Sequence, residues 1–186
     1  MEFTEEFTEN NLKQYILEKE KQLIEHADED PFYVLGEVFN FRQWSFISDE
    51  LSDWLIIGLS TDYNAYDNWG ARLTLVFFYD QLLLLIEALF IIYSQNVKNA
   101  DKEEKIPVYE VHLLSEDQKA NPQKVIFAFF ETYPTVYIIR ELDDWLIAGL
   151  CYPGSWRKNM ISPLHLHDTN RNVLCLIKAA KLLLAK

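Results

Sequence analysis

The decapeptide ELSDWLIIGL at residues 50–59 is followed 91 residues later by ELDDWLIAGL at residues 141–150. Superposed at that offset, the chain needs no gap from Asp30 to its last residue, and nineteen of the 66 paired positions are identical. Pro31 falls on Pro122, Val34 on Val125, Phe39 on Phe130 and Ile47 on Ile138, and Leu83, Leu85, Ile86 and Ala88 fall on Leu174, Leu176, Ile177 and Ala179. A register held that long predicts a tandem duplication, and repeats constrain a fold before any local signal does.

Each copy reads as the same run of helices. Asp30-Pro31, Asn121-Pro122 and Ser162-Pro163 are helix starts, a capping residue followed by proline at the first helical position. In the first copy a charged amphipathic helix ends near Asp28. PFYVLGEVFNF, RQWSFISDELSDWLIIGL and a long helix from Arg72 to Ser94 follow, the last two separated by the turn STDYNAYDNWG. The second copy repeats the order, with strands at PVYEVHL and VIFAFF as a minor alternative. The expected fold is all-α: a roughly four-helix unit used twice, docked as a pseudo-twofold bundle. Residues 1–95 form the acidic first repeat, 96–105 a charged linker and 106–186 the second repeat.

Ile47, Leu51, Trp54 and Gly58 are spaced four, three and four apart, as are Ile138, Leu142, Trp145 and Gly149. Such a row lies on one helix face. A mid-helix glycine costs about 1 kcal/mol against alanine, so its presence in both copies implies a close helix crossing. The rows therefore read as core. Charge separates the copies: up to Ile91, five Lys and Arg face eighteen Asp and Glu, whereas from Ile92 onward the counts are twelve and eleven. Asp80 aligns with Arg171 and Glu87 with Lys178, so the two long helices are expected to dock with these charges facing each other.

Leu73 to Tyr93 is long enough to span a bilayer, but Asp80, Gln81 and Glu87 interrupt it, and the expectation is a buried helix rather than a membrane segment. The first residues, MEFTEEFTENN, have no basic region or apolar run and do not read as a secretory signal. Two cysteines, Cys151 and Cys175, lie in apolar segments and read as reduced core thiols. Together these point to a cytoplasmic protein.

Catalytic schemes find little support. Glycine-rich phosphate loops, G-x-S-x-G and H-E-x-x-H are missing from the sequence. His165 and His167 form an H-x-H pair, but two positions apart on a helix diverge by about 200°, so no metal site is expected and no cofactor is implied. A net charge of −12 disfavours nucleic acid. The turn concentrates Asp62, Tyr63, Tyr66, Asp67 and Trp69, a candidate interaction surface whose acids would steer a basic partner. The expected function is thus a non-enzymatic protein-interaction module of adaptor, inhibitor or immunity type. The competing expectation is a small-molecule or enzymatic pocket where the copies meet, lined by Glu50, Trp54, Glu141 and Trp145. The sequence leaves the partner and the oligomeric state open.

Overall fold

The computed structural model describes residues 18, 22–23, 25–41, 44–59, 66–99, 119–150 and 163–185. Among them the secondary structure is entirely helical. A short helical stretch ends at Ala27 and leads into α1 (Pro31–Phe41), α2 (Trp44–Leu59), α3 (Trp69–Asn99), α4 (Pro122–Thr132), α5 (Thr135–Leu150) and α6 (Pro163–Leu184). VIFAFF is helical, inside α4, because its apolar side chains face two neighbours at once; PVYEVHL lies outside the described residues.

The helix starts have local causes. Proline opens α1, α4 and α6, where its missing N–H would have no partner anyway. Asp30 Oδ1 accepts the Tyr33 N–H at 3.0 Å and caps α1. Asn68 Oδ1 accepts the Ala71 N–H at 2.9 Å, so α3 begins at Trp69, earlier than the expected Arg72. At its other end α3 continues to Asn99, so the first four residues of the expected linker are helical. Tyr133 is extended, as a residue before proline must be, and Pro134 separates α4 from α5.

The packing order differs from the chain order. α1 lies on α3, and α4 lies on α6. α2 packs more on α6 than on its own successor α3, and α5 packs on α3; α2 and α5 also cross each other, while α1 reaches α6 and α4 reaches α3. The long helices α3 and α6 are not a principal packing pair, which corrects the expected docking. The ground between them is taken by α2 and α5. Asp80 and Glu87 accordingly form no ion pair with Arg171 or Lys178: Asp80 is half-buried on α3 and Glu87 faces solvent.

α3 runs about 46 Å at 1.5 Å per residue. Leu75, Phe78, Leu82, Leu85, Leu89 and Ile92 form its buried stripe, and Leu84, Ile86 and Ala88 extend burial to a second side. It is long and apolar enough to cross a membrane, and half of that span is buried inside the protein. Both tryptophan rows are core: Ile47, Leu51 and Trp54, and Ile138, Leu142 and Trp145, are each at most 5 % exposed.

Gly149 shows why the second row ends in glycine. A methyl group there would come within 2.5 Å of Leu75 Cδ2 and 3.3 Å of Tyr66 Cδ2, so the α5 backbone lies directly against these two side chains. Gly36 in α1 has open space instead. Gly149→Ala should therefore destabilise by about 1–2 kcal/mol, overpacking against fully buried Leu75 outweighing the helix-propensity gain. Gly36→Ala should stabilise by about 0.5–1 kcal/mol. Urea midpoints of the two variants check the contrast.

Candidate functional site

The α2–α5 crossing carries one tryptophan from each helix. The Trp54 and Trp145 rings meet edge to face, centroids 5.5 Å apart at 81°, with Phe78 of α3 edge-on to Trp54 at 5.4 Å. The indoles are 2 % and 3 % exposed, so side chains fill the middle of this crossing. Neither indole N–H reaches a hydrogen-bond acceptor. The two residues therefore hold the crossing through ring packing, which adds about 0.5–1.5 kcal/mol beyond their buried area.

The carboxylates expected beside them face elsewhere. Glu50 Oε2 accepts the Tyr66 hydroxyl at 2.7 Å, and Glu141 Oε2 lies 3.0 Å from His165 Nε2. The Tyr137 hydroxyl also contacts that same ring nitrogen. A relay through an imidazole needs one group on each nitrogen. Convergence of Tyr137 and Glu141 on Nε2 is instead a clasp between α5 and the first turn of α6. Burial, then the Glu141 charge, pushes the Tyr137 phenol up from its ordinary value. Tyr133 stacks on Tyr137, and Asn172 Nδ2 donates to the Tyr133 hydroxyl at 2.5 Å.

Two further bonds tie the long helices to the crossing pair. Asn170 Nδ2 of α6 donates to the Leu51 carbonyl of α2 at 2.9 Å. The Tyr79 hydroxyl of α3 donates to Asp143 Oδ1 of α5. Burial first, and Asp143 second, keep the Tyr79 phenol well above its usual range. Tyr79 and Asn170 are 91 residues apart, a signal the sequence held without showing that both would bridge.

The remaining candidate groups have plain settings. His167 pairs with neighbouring Asp168 at 3.6 Å on the surface, pointing away from His165, and no group of three metal-ligating side chains occurs among the described residues. Cys175 is a buried free thiol; burial raises its pKa and Lys178 and Arg171 only partly oppose that. Cys151 lies outside the described residues.

The aromatic turn divides. Asp62 and Tyr63 lie outside the described residues. Tyr66, expected on the surface, is instead 3 % exposed, because its hydroxyl finds Glu50 while its ring meets Gly149. Asp67 and Trp69 are exposed, Trp69 at 55 %, so this indole does not fold over the core. Sequence reasoning missed Phe32 and Tyr33, which stand 47 % and 50 % exposed; Tyr33 lines a groove of about 330 Å3 with Gln22, Leu23, His26 and Asp30.

The chain matches no protein-family model, no curated protein and no solved structure among those compared with it.

Trp54→Ala and Trp145→Ala should each cost about 3–5 kcal/mol, as for aromatics lost from a core. Because the rings touch, the double variant should cost less than the sum of the two, by about 0.5–1.5 kcal/mol. A denaturation cycle reads this; strict additivity would mean the rings do not meet.

Burial raises the Asp80 carboxyl above its ordinary value, so its charge opposes folding at neutral pH. A raised folded-state pKa favours the native state below that pKa, and the contribution is lost as pH rises through it. Asp80→Asn should thus be more stable than wild type at pH 7, with the difference shrinking as the pH falls into the carboxylate range. Thermal midpoints of both proteins across pH 4–8 test the sign.

Proposed function

We propose that the chain is a tandem duplication whose copies interlock about a pseudo-twofold axis, and that this frame serves protein–protein interaction without catalysis. Three features support the architectural part. α1 and α4, and α2 and α5, begin and end 91 residues apart. Exchanging the copies maps each main helix contact onto another: α1 on α3 becomes α4 on α6, and α2 on α6 becomes α5 on α3. The residues that meet at the centre, Trp54 and Trp145, are themselves equivalent. Such an arrangement resembles a helix-exchanged homodimer fused into one chain.

The functional part rests on one observation. Trp69, at the head of α3, stands 55 % exposed next to exposed Asp67, in a half of the chain that carries most of its negative charge. Tryptophan is among the commonest interface anchors, and acidic neighbours raise the encounter rate with a basic partner. The partner is a protein with a basic surface. The overall charge of −12 argues against nucleic acid, and a cytoplasmic setting belongs to the same reading. The protein would act as an adaptor, inhibitor or immunity-type factor. The pocket reading is weaker, because Trp54 and Trp145 occupy each other and Glu50 and Glu141 bond to separate partners.

Affinity capture from native cells, followed by titration of the purified partner, tests this reading. The expected result is a one-to-one complex that Trp69→Ala weakens at least about tenfold, the loss typical of an interface anchor. Recovery of a tightly held small molecule, with no protein partner, would overturn it.

A further inference from the structure

The two copies offer an internal control for which surface residues the fold requires. At the entry to α1 the exposed residues include Asp28, Glu29, Phe32 and Tyr33. At the 91-residue offset, the entry to α4 carries Lys119, Ala120, Gln123 and Lys124. The buried positions between them are kept apolar: Pro31 and Pro122, Val34 and Val125, Leu35 and Ile126, Val38 and Phe129. The same helix start is therefore built without the acids and without the rings. What α1 adds at this corner is surplus to the architecture.

One of the added residues, Tyr33, lines a groove between the preceding helical stretch and α1. Gln22, Leu23, His26, Asp30 and Tyr33 line its volume of about 330 Å3, and Glu25, Asp28 and Glu29 are exposed on the same stretch of chain. None of these three carboxylates is in an ion pair among the described residues, and between Gln22 and Phe41 the chain has no Lys or Arg. His26 donates through Nδ1 to the Gln22 carbonyl at 2.7 Å, which sets its ring beside Tyr33, centroids 6.3 Å apart. Asp30 is held by its cap bond to the Tyr33 backbone N–H, which fixes its carboxylate at the head of α1. The groove thus combines the buried Leu23 side chain, the half-exposed Tyr33 ring and the Asp30 carboxylate, on a stretch, residues 22–41, that holds five carboxylates and no Lys or Arg.

We infer that this corner is the docking site for an arginine-bearing segment of a basic protein partner, an inference that rests on the interaction reading above. Guanidinium is the group that suits both features. It stacks on an aromatic face while its N–H fork bonds carboxylates, and its alkyl stem packs on apolar side chains. The chain's own first seventeen residues make a poor occupant, since they hold four glutamates and one lysine and would meet the acidic stretch with like charge.

The test uses the full-length, isotope-labelled protein and a twelve-residue synthetic peptide with four arginines and no acidic residue, at low salt. Amide shifts should concentrate on residues 22–37, and added salt should weaken binding. A peptide of the same length with Gln for Arg should not bind. The variant Asp28→Lys, Phe32→Gln, Tyr33→Lys installs the residues that the second copy uses. It should bind at least tenfold more weakly while its thermal midpoint stays within a few degrees of wild type. Shifts spread over the whole acidic surface or centred on Asp67 and Trp69, or wild-type binding by the variant, would overturn the assignment. So would failure of the variant to fold, since these side chains would then be structural. A partner captured from cells that binds the variant unchanged would remove this docking site and leave the interaction reading standing.

Discussion

The contact between Trp54 and Trp145 is the constraint around which the other helices are arranged. Each indole comes from the middle of a sixteen-residue helix, and burying both requires α2 and α5 to cross at this point. Once they cross, each presents its flanks to a long helix: α2 to α6, and α5 to α3. The bonds from Asn170 to the Leu51 carbonyl and from Tyr79 to Asp143 then secure those flanks. Gly149 allows α5 to press against Leu75 at the far end of the same helix. Because the indole N–H groups find no acceptor, the crossing depends on ring packing and shape rather than on polar pairing.

That arrangement explains the fate of the charges on the long helices. Position-matched reversal of Asp80 and Glu87 into Arg171 and Lys178 would matter if α3 and α6 faced each other. With α2 and α5 between them, the four groups have no short route to one another. Asp80 is left half-buried without a cation, which raises its pKa, and Glu87 is solvated. The helix entries also differ: Asp28 and Glu29 precede α1 and two rings stand in its first turn, whereas Lys119 precedes α4 and Lys124 stands in its first turn.

Much of the core was legible in the sequence, and the candidate surface only partly so. The rows at Ile47, Leu51 and Trp54 and at Ile138, Leu142 and Trp145 were readable because helical spacing places them on one face whatever they pack against. Tyr66 and Trp69 were not separable, being aromatics three residues apart with acidic neighbours. Tyr66 turns inward because Glu50 offers its hydroxyl an acceptor, a placement fixed by α2 sixteen residues away. Phe32 and Tyr33 looked like part of an apolar helix, and only the burial of Val34, Leu35 and Val38 on its other side shows that they face out.

From the sequence alone come the helical class, the proline-marked starts of α1, α4 and α6, the buried tryptophan rows and the need for a close approach at Gly149. These follow from properties carried within one helix: its periodicity, its opening proline and its glycine. Which helix lies on which was decided only in the tertiary structure. An apolar stripe states that a face must be covered but does not name what covers it, and α3 is so apolar that it has scarcely a stripe to read. Partner choice depends on the fit of surfaces distant in the chain, and here the better fit for α2 is α6 rather than its own neighbour α3.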